Sequence, residues 1–564
     1  MLRAAFQTLK ARLGGKTPVD ATSIDVSQFK IVQEGEAKIL FPNKETVFYN
    51  PIQQFNRDLS VTCIKAWDEI YQEEARERRE AKKNQANSKN QGKKRALAET
   101  SENNTDSSDA LKKRKLNEDE SNAVAVSGPV VKPYIKILEA LSATGLRAIR
   151  YAKEIPNAKM ITANDLLPDA VESIKRNINY NGVQDKVVAN LDDANVLMYR
   201  NKSTNTKYHV IDLDPYGTVT PFVDASMQCI EDGGLMLVTC TDLSVLAGNG
   251  YPEKCFALYG GVNMAGHDAT HESALRLVLN LLGQSAAKYK KTIEPLLSLS
   301  IDFYVRVFIR VKTSPIEVKN LQSNTMVGYM CSGCGAYHTQ PLGRQQERQT
   351  KKGNKFTKFS LAQGPPVDRH CSYCGSVHHI VGPMYGGPLH NRDFIERVLR
   401  INKEDHKDDV YGTRKRIEGM LTLAKNEITA PFYFTPNSVS SILKFQVPPL
   451  KSVVAGLGSL GYQCSLTHAK ASSLKTDASW DAIWYVMKKY CLEHENVDVE
   501  KMNKNGNGYK IMTNENIGKN AEWDEKISFE PNEHSGKFEK LRKLKIVRYQ
   551  ENPTRNWGPK ARPQ

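Results

Sequence analysis

Three acidic residues, Glu139, Asp165 and Asp193, stand where short apolar runs give way to turns. In an open α/β sheet, side chains reach a ligand from these positions. The first turn reads Glu139-Ala-Leu-Ser-Ala-Thr-Gly145-Leu-Arg147. A dinucleotide would ask for the three glycines of GxGxxG, because the backbone must approach a pyrophosphate closely. A single glycine suits a ligand without phosphates, such as S-adenosylmethionine, and a carboxylate at Glu139 is favourable beside a sulfonium but not beside a pyrophosphate. Asp165 has the spacing of a carboxylate that accepts from ribose hydroxyls. Asp193 is placed for the adenine amine, and the Ala194 N–H for a ring nitrogen. Singly, each aspartate would read as a helix cap or turn residue; the three together read as a cofactor cleft.

A fourth run, Tyr208 to Leu213, leads into Asp214-Pro215-Tyr216-Gly217. An amine conjugated to a base ring is a poor nucleophile. An enzyme that methylates it needs an acceptor for its N–H bonds and an aromatic face for the base. Asp214 and Tyr216 form such a pair, with Pro215 stiffening the turn. A turn opener is the ordinary reading of Asp-Pro, but here it follows the fourth strand of a cofactor fold.

The second chemical signal is Cys331-Ser-Gly-Cys334-Gly335 with Cys371-Ser-Tyr-Cys374-Gly375. Two such knuckles suit one tetrahedral zinc held by Cys331, Cys334, Cys371 and Cys374, since each glycine allows the tight turn that aims amides at thiolates. Four protein ligands leave no open position, so the zinc is expected to be structural. A redox dithiol is the competing reading.

The elements that must position these groups follow from periodicity. Apolar runs at 134–141, 160–163, 187–191, 208–213 and 235–240 alternate with helical stretches, which predicts a doubly wound parallel sheet. A helix from Glu272 to about Lys291 and two runs, Ile293 to Ile301 and Phe303 to Val311, leave room for an antiparallel pair closing that sheet. From about Lys312 onward a second unit of α+β character carries the cysteines.

Length and composition bound the rest. The chain has 564 residues, 40% of them hydrophobic, and 79 Lys and Arg against 63 Asp and Glu, for a net charge of +16. A wholly disordered chain is excluded, and the surplus points to a polyanionic partner. No apolar run is long enough to cross a bilayer, so no membrane insertion is expected. Residues 72–133 contain no aromatic and read as a disordered basic insertion. Within it Lys93, Lys94 and Arg95, then Lys112 to Lys115, have the form of a two-part nuclear import signal. Residues 1–20 begin with Arg3, Lys10, Arg12 and Lys16 and apolar Leu2, Phe6, Leu9 and Leu13, the pattern of a mitochondrial presequence. Between the knuckles, Arg344, Arg348, Lys351, Lys352, Lys355 and Lys358 accompany Phe356 and Phe359, opposed by Glu347, and the tail from Lys537 to Arg562 is also basic. Such clusters suit phosphate contact with stacking.

Five segments, Phe48-Tyr49-Asn50-Pro51, Asn56-Arg57-Asp58, Leu141 to Arg147, Asp214 to Gly217 and Asn556-Trp557-Gly558-Pro559, resemble those of the tRNA (guanine-26) dimethyltransferases, the fungal enzymes above all. The resemblance runs from about Asn50 to the C terminus, interrupted by the insertion. It implies a class I S-adenosylmethionine-dependent methyltransferase domain over 21–315, Rossmann-like and split by the insertion, then a zinc-containing tRNA-binding domain over 316–564. The implied reaction puts two methyl groups on the 2-amino group of guanine 26 of tRNA. By the same resemblance Arg57 and Arg147 join the cofactor contacts, Asp214 accepts from the target amine, and Phe48 with Tyr216 brackets the everted guanine. Many members have Phe where this chain has Tyr216. Stacking survives that change, but a buried hydroxyl would need a partner. The expected locations are nucleus and mitochondrion, with tRNA as partner and no obligate protein partner. The alternatives are a non-catalytic tRNA-binding protein or chaperone, and an amino-methyltransferase of another nucleic acid.

Overall fold

The computed structural model describes residues 25–43, 49–99, 132–405, 410–495, 497–544 and 546–549. The presequence-like segment, Phe48, the second basic block and the Asn556-Trp557-Gly558-Pro559 motif lie outside these residues.

The chain opens with an antiparallel hairpin, β1 (Phe29–Glu34) and β2 (Ala37–Pro42), followed by a long helix, α1 (Gln54–Glu99). Alternation then builds the sheet: β3 (Ile135–Glu139), α2 (Leu146–Glu154), β4 (Ala158–Asp165), α3 (Pro168–Asn181), β5 (Val187–Leu191), α4 (Ala194–Arg200), β6 (Tyr208–Leu213), α5 (Val223–Cys229) and β7 (Ile230–Cys240). Helix α6 (Thr270–Ala287) leads to β8 (Lys291–Ile301) and β9 (Tyr304–Thr313). The strand order is β5-β4-β3-β6-β7-β9-β8, parallel through β7 and antiparallel at β9 and β8. This is the doubly wound sheet, closed by an antiparallel pair, that the periodicity predicts. Its order reverses between β3 and β6, the switch point outside which ligands bind.

The strands are apolar on both faces because helices cover both. Ile137 and Val210 face one core with Leu59, Ile64 and Trp67 of α1 and Ile149 of α2. Their neighbours Leu138 and Ile211 face the other, with Met198 of α4, Met227 of α5 and Leu275 of α6.

Two boundaries differ from expectation. The expected disordered insertion starts at residue 72, yet α1 runs on to Glu99. The Ala, Glu, Lys and Arg that cannot form a core are strong helix formers. Ion pairs also hold the stretch where α1 leaves the core: Glu73 with Arg397 at 2.7 Å, Glu69 with Arg400 at 2.5 Å and Glu74 with Arg310 at 2.5 Å.

The expected boundary at 315 does not divide the core. Beyond it come β10 (Thr325–Cys331), β11 (Tyr337–Pro341), β12 (Gly343–Gln349), β13 (Lys355–Leu361), β14 (His378–Tyr385), α7 (Arg392–Glu404) and α8 (Arg414–Asn426). Strand β10 is central in a sheet with β11 and β14, whose Val381 and Met384 pack into the second core, while Phe394, Ile417 and Met420 of α7 and α8 complete the first. The remaining helices, chiefly α9 (Pro436–Leu443), α10 (Leu450–Ser459) and α11 (Trp480–His494), build a third core around the four cysteines. Among the described residues, no helix is long and apolar enough to cross a membrane.

Candidate active site and metal centre

The turn after β3 is held in a shape that few sequences tolerate. Ala143 has φ +50° and Gly145 φ +78°. A Cβ at Gly145 would come within 3.2 Å of Ile174 of α3, so a side chain there is opposed by backbone conformation and by packing. Neighbouring strands pin the turn: Ala140 N donates to the Asp212 carbonyl at 3.1 Å, and Ser142 N to the Asn164 carbonyl at 2.7 Å. Glu139 lies beneath it, buried, accepting from the Ser142 hydroxyl at 2.5 Å and the Ala148 N–H at 3.1 Å. Burial pushes its carboxyl up to about 8, against the opposing pull of Ser142 and Arg147. Its position is that of a buttress under the turn.

Asp165 ties the next turn to the first. One carboxylate oxygen accepts from Ala143 N at 2.8 Å and the other from Leu167 N at 3.0 Å. Each keeps a lone pair for a ligand hydroxyl. Asp193 caps α4, taking Asn195 N at 2.7 Å and Val196 N at 3.2 Å on a single oxygen, and Ala194 is the first residue of that helix. Asn164, whose side chain no sequence pattern marked, links three of these turns. It donates to the carbonyls of Ala140 at 3.0 Å and Asp192 at 3.1 Å and accepts from Asn190 at 2.7 Å.

At the end of β6 the Asp214 carboxylate, 24% exposed, meets the Arg147 guanidinium, so the turns after β3 and β6 are joined by a charge pair. Arg147 also lies 3.7 Å from Asp212 and donates to the Ser60 hydroxyl at 3.3 Å. Asp212 is fully buried, with Arg306 at 2.9 Å and the Tyr151 hydroxyl at 2.5 Å. Burial pushes its carboxyl up, but Arg306 and Arg147 outweigh this and hold it below the ordinary aspartate value. Arg306 spreads the support further, to Thr239 at 2.6 Å and Ser60 at 2.8 Å. The sequence sign of this layer is local: the apolar run Phe303 to Val311 holds two arginines, Arg306 and Arg310, and a buried guanidinium needs partners. Tyr216 is 48% exposed, beyond a turn fastened by Gly217 N to the Thr241 hydroxyl at 2.8 Å. Gly217 has φ +84°, which suits its residue type.

Arg57 lies on the first turn of α1, three residues before Ser60. Its guanidinium binds Glu34 through both oxygens, at 2.6 and 2.5 Å, and the Asn50 carbonyl at 3.1 Å. Arg150 joins the cluster, at 2.9 Å from Glu34, 2.7 Å from Asp58 and 2.9 Å from Glu154. Burial would raise the Glu34 carboxyl, but the two guanidinium groups override it and bring it to about 2. This network anchors the N-terminal hairpin to α1 and α2 and fixes the Arg57 guanidinium through its Nε and Nη2 atoms.

The four knuckle cysteines converge. Their sulfurs lie within 4.8 Å of one another, all buried, with Cys331 to Cys374 at 3.4 Å and Cys334 to Cys371 at 3.8 Å. Zinc–sulfur bonds of about 2.3 Å in a tetrahedron put sulfurs about 3.8 Å apart, so the donor set fits zinc. Gly335 (φ +69°) and Gly375 (φ +77°) make the two knuckle turns, and Gly333 N points to the Cys331 sulfur at 3.4 Å. His390, Glu427 and His468 also lie close together, but the Lys475 ammonium already sits 3.2 Å from Glu427, and the His468 nitrogens are engaged by Glu427 and Ser300 N.

Residues 24–488 match the profile of a family described as N2,N2-dimethylguanosine tRNA methyltransferase. The chain is 65% identical to the tRNA (guanine(26)-N(2))-dimethyltransferase, mitochondrial, of Saccharomyces cerevisiae over all of this chain and 97% of that one. It is 43% identical to the Schizosaccharomyces pombe tRNA (guanine(26)-N(2))-dimethyltransferase over all of this chain and 98% of the relative. Among solved structures, a complex of Trm1 from Pyrococcus horikoshii with S-adenosyl-L-methionine superposes with a TM-score of 0.58 at 24% identity, covering 81% of this chain and 99% of that one. That likeness shows a shared fold.

Proposed function

The chain belongs to the N2,N2-dimethylguanosine tRNA methyltransferase family, and from this premise we propose that it transfers two methyl groups from S-adenosylmethionine to the 2-amino group of guanine 26 of tRNA. The observation that carries the reading is the pairing of Asp214 with Arg147, which fixes an amine acceptor beside the turn that would hold the cofactor.

When bound, the cofactor supplies an electrophilic methyl group. Asp165 accepts the ribose hydroxyls, and Asp193 with Ala194 N contacts the adenine edge. Glu139 maintains the turn from below. Asp214 takes an N–H of the guanine amine and aligns its lone pair with the methyl carbon. With both ligands bound, the new N–C bond would form as the S–C bond breaks, the electron pair returning to sulfur and the amine proton passing to Asp214 and from there to solvent; a second cofactor would repeat the exchange. Most of the acceleration comes from positioning. Tyr216 and Phe48 bracket the everted base, an eversion costing a few kcal/mol that stacking offsets. Arg57, held by Glu34 and the Asn50 carbonyl, and Arg147 are the cationic cofactor contacts. A tRNA whose residue 26 is adenine should accept no methyl; transfer to it at the normal rate would contradict the assignment.

The methyltransferase portion spans 21–315 with its insertion, and 316–564 adds the zinc centre and tRNA grip, the two sharing their cores. Zinc held by Cys331, Cys334, Cys371 and Cys374 serves folding alone. The protein works in nucleus and mitochondrion, on the strength of the basic blocks and the presequence pattern. Deleting residues 83–118 should reduce nuclear accumulation of a tagged protein and leave methylation in vitro intact. Undiminished nuclear signal would refute the import reading.

Asp165→Ala should weaken cofactor binding by roughly 1.5 to 3 kcal/mol, about 10- to 150-fold, since it removes a charge-assisted acceptor from the ligand and from Ala143 N. Titration calorimetry showing parent affinity would remove Asp165 from the site.

A further inference from the structure

Among the described residues, strands β12 and β13 pair only with each other, forming a two-stranded ribbon between the cysteine knuckles. Seven residues a side at about 3.3 Å each give it a reach of roughly 23 Å. Alternation sorts its side chains into two faces. The register sets Arg344 opposite Ser360, Gln346 opposite Lys358 and Arg348 opposite Phe356, so these six share one face. Gln345, Glu347 and Gln349 share the other with Phe359, Thr357 and Lys355.

The charges divide unequally. The first face carries Arg344, Arg348 and Lys358 and no acid; on the second, Lys355 is balanced by Glu347. Lys351 and Lys352 add two exposed cations at the tip. All three cations of the first face are exposed, and Phe356 beside them is 47% exposed. A solvated ribbon would gain nothing from segregating charge, and like charges on one face repel one another. Apposition of an extended polyanion reverses that cost.

We infer that the Arg344, Arg348 and Lys358 face of the ribbon holds the sugar-phosphate backbone of the tRNA, with Phe356 stacking on an unpaired base. The inference rests on the proposed function and adds the surface that grips the substrate. The deep, narrow major groove of A-form RNA is closed to side chains, so the ribbon would lie along phosphates of the shallow groove or of a single-stranded segment. Guanidinium groups suit phosphate through paired N–H bonds, and an aromatic face accepts any base.

The test is tRNA affinity of the full-length protein at several salt concentrations, for the parent, R344Q/R348Q/K358Q, R348Q alone and K355Q from the opposite face. Each phosphate contact contributes about 0.7 to 0.9 to the slope of log affinity against log salt. The triple variant should therefore lose about 2 to 3 from that slope and bind at least about 10-fold more weakly at low salt, with KM raised and kcat at saturating tRNA near the parent value. R348Q should lose a slope of about 0.7 to 0.9, and K355Q should lose none. Unchanged affinity and slope in the triple variant, with cofactor binding intact, would overturn the inference and leave the ribbon for another anionic partner, as would an equal loss in K355Q. The two claims fail separately: a parent that binds tRNA but makes no dimethylguanosine contradicts the function, whereas a parent that methylates and a triple variant that binds like it contradict the ribbon.

Discussion

Asp214→Ala should lower the rate of methyl transfer by about 100-fold or more while tRNA and cofactor affinities stay near those of the parent. The magnitude is that of removing one preorganised group from a site where charge develops. Asp214 is partly exposed and its charge partner Arg147 keeps two other supports, Asp212 at 3.7 Å and Ser60 at 3.3 Å, so the fold should tolerate the change. Single-turnover transfer to an unmodified tRNA, with both ligands saturating, isolates the chemical step from binding. Near-normal transfer would show that the guanine amine takes its acceptor elsewhere.

The second large effect concerns the metal. Cys334→Ser should reduce zinc from about one per chain to a small fraction, cost several kcal/mol of stability (roughly 3 or more), and weaken tRNA binding. The sulfurs sit in the third core with Trp480, Trp484 and Leu423, and loss of the metal leaves buried thiols without the bonds that organise that core. Below the unfolding transition, cofactor binding should persist, because Asp165, Asp193 and the turn after β3 are supported by β3 to β6. The variant should nonetheless unfold in one transition with the parent's pattern, since Leu423 belongs to α8, whose Ile417 and Met420 complete the first core. Elemental analysis beside cofactor titration on one sample decides the matter. A zinc-free parent with full activity would refute a structural metal.

The sheet was legible in the sequence because parallel strands covered on both faces read as apolar runs, and the turns at its strand ends were legible because acids stand there together; singly, each of those acids also has a local structural job. The cysteine knuckles were legible from spacing. Composition marks residue 72 as the place where core-forming residues end, and between there and Glu99 the Glu, Lys and Arg continue a helix begun in the core; the rest of the expected insertion, to residue 131, lies outside the described residues. The support of Asp214 was largely hidden. Ser60, Asp212 and Arg306 come from α1, β6 and β9, and only the fold brings them together; the two arginines of the apolar run in β9, Arg306 and Arg310, are the one local sign, and nothing local tells which of them supports the site. Arg57 shows the converse: a motif identifies the residue, but only the fold shows that Glu34, 23 positions earlier, holds it in place. Asp193 does what an ordinary cap does, with both helix N–H groups on a single oxygen, so the other oxygen is compatible with the proposed ligand contact.

The most direct test of the central claim is nucleoside mass spectrometry of an unmodified tRNA after incubation with the purified protein and S-adenosylmethionine, with the modified position mapped by nuclease fragments. The account predicts N2,N2-dimethylguanosine confined to position 26. Absence of any methylated guanosine, or methyl groups only at another position, would contradict it.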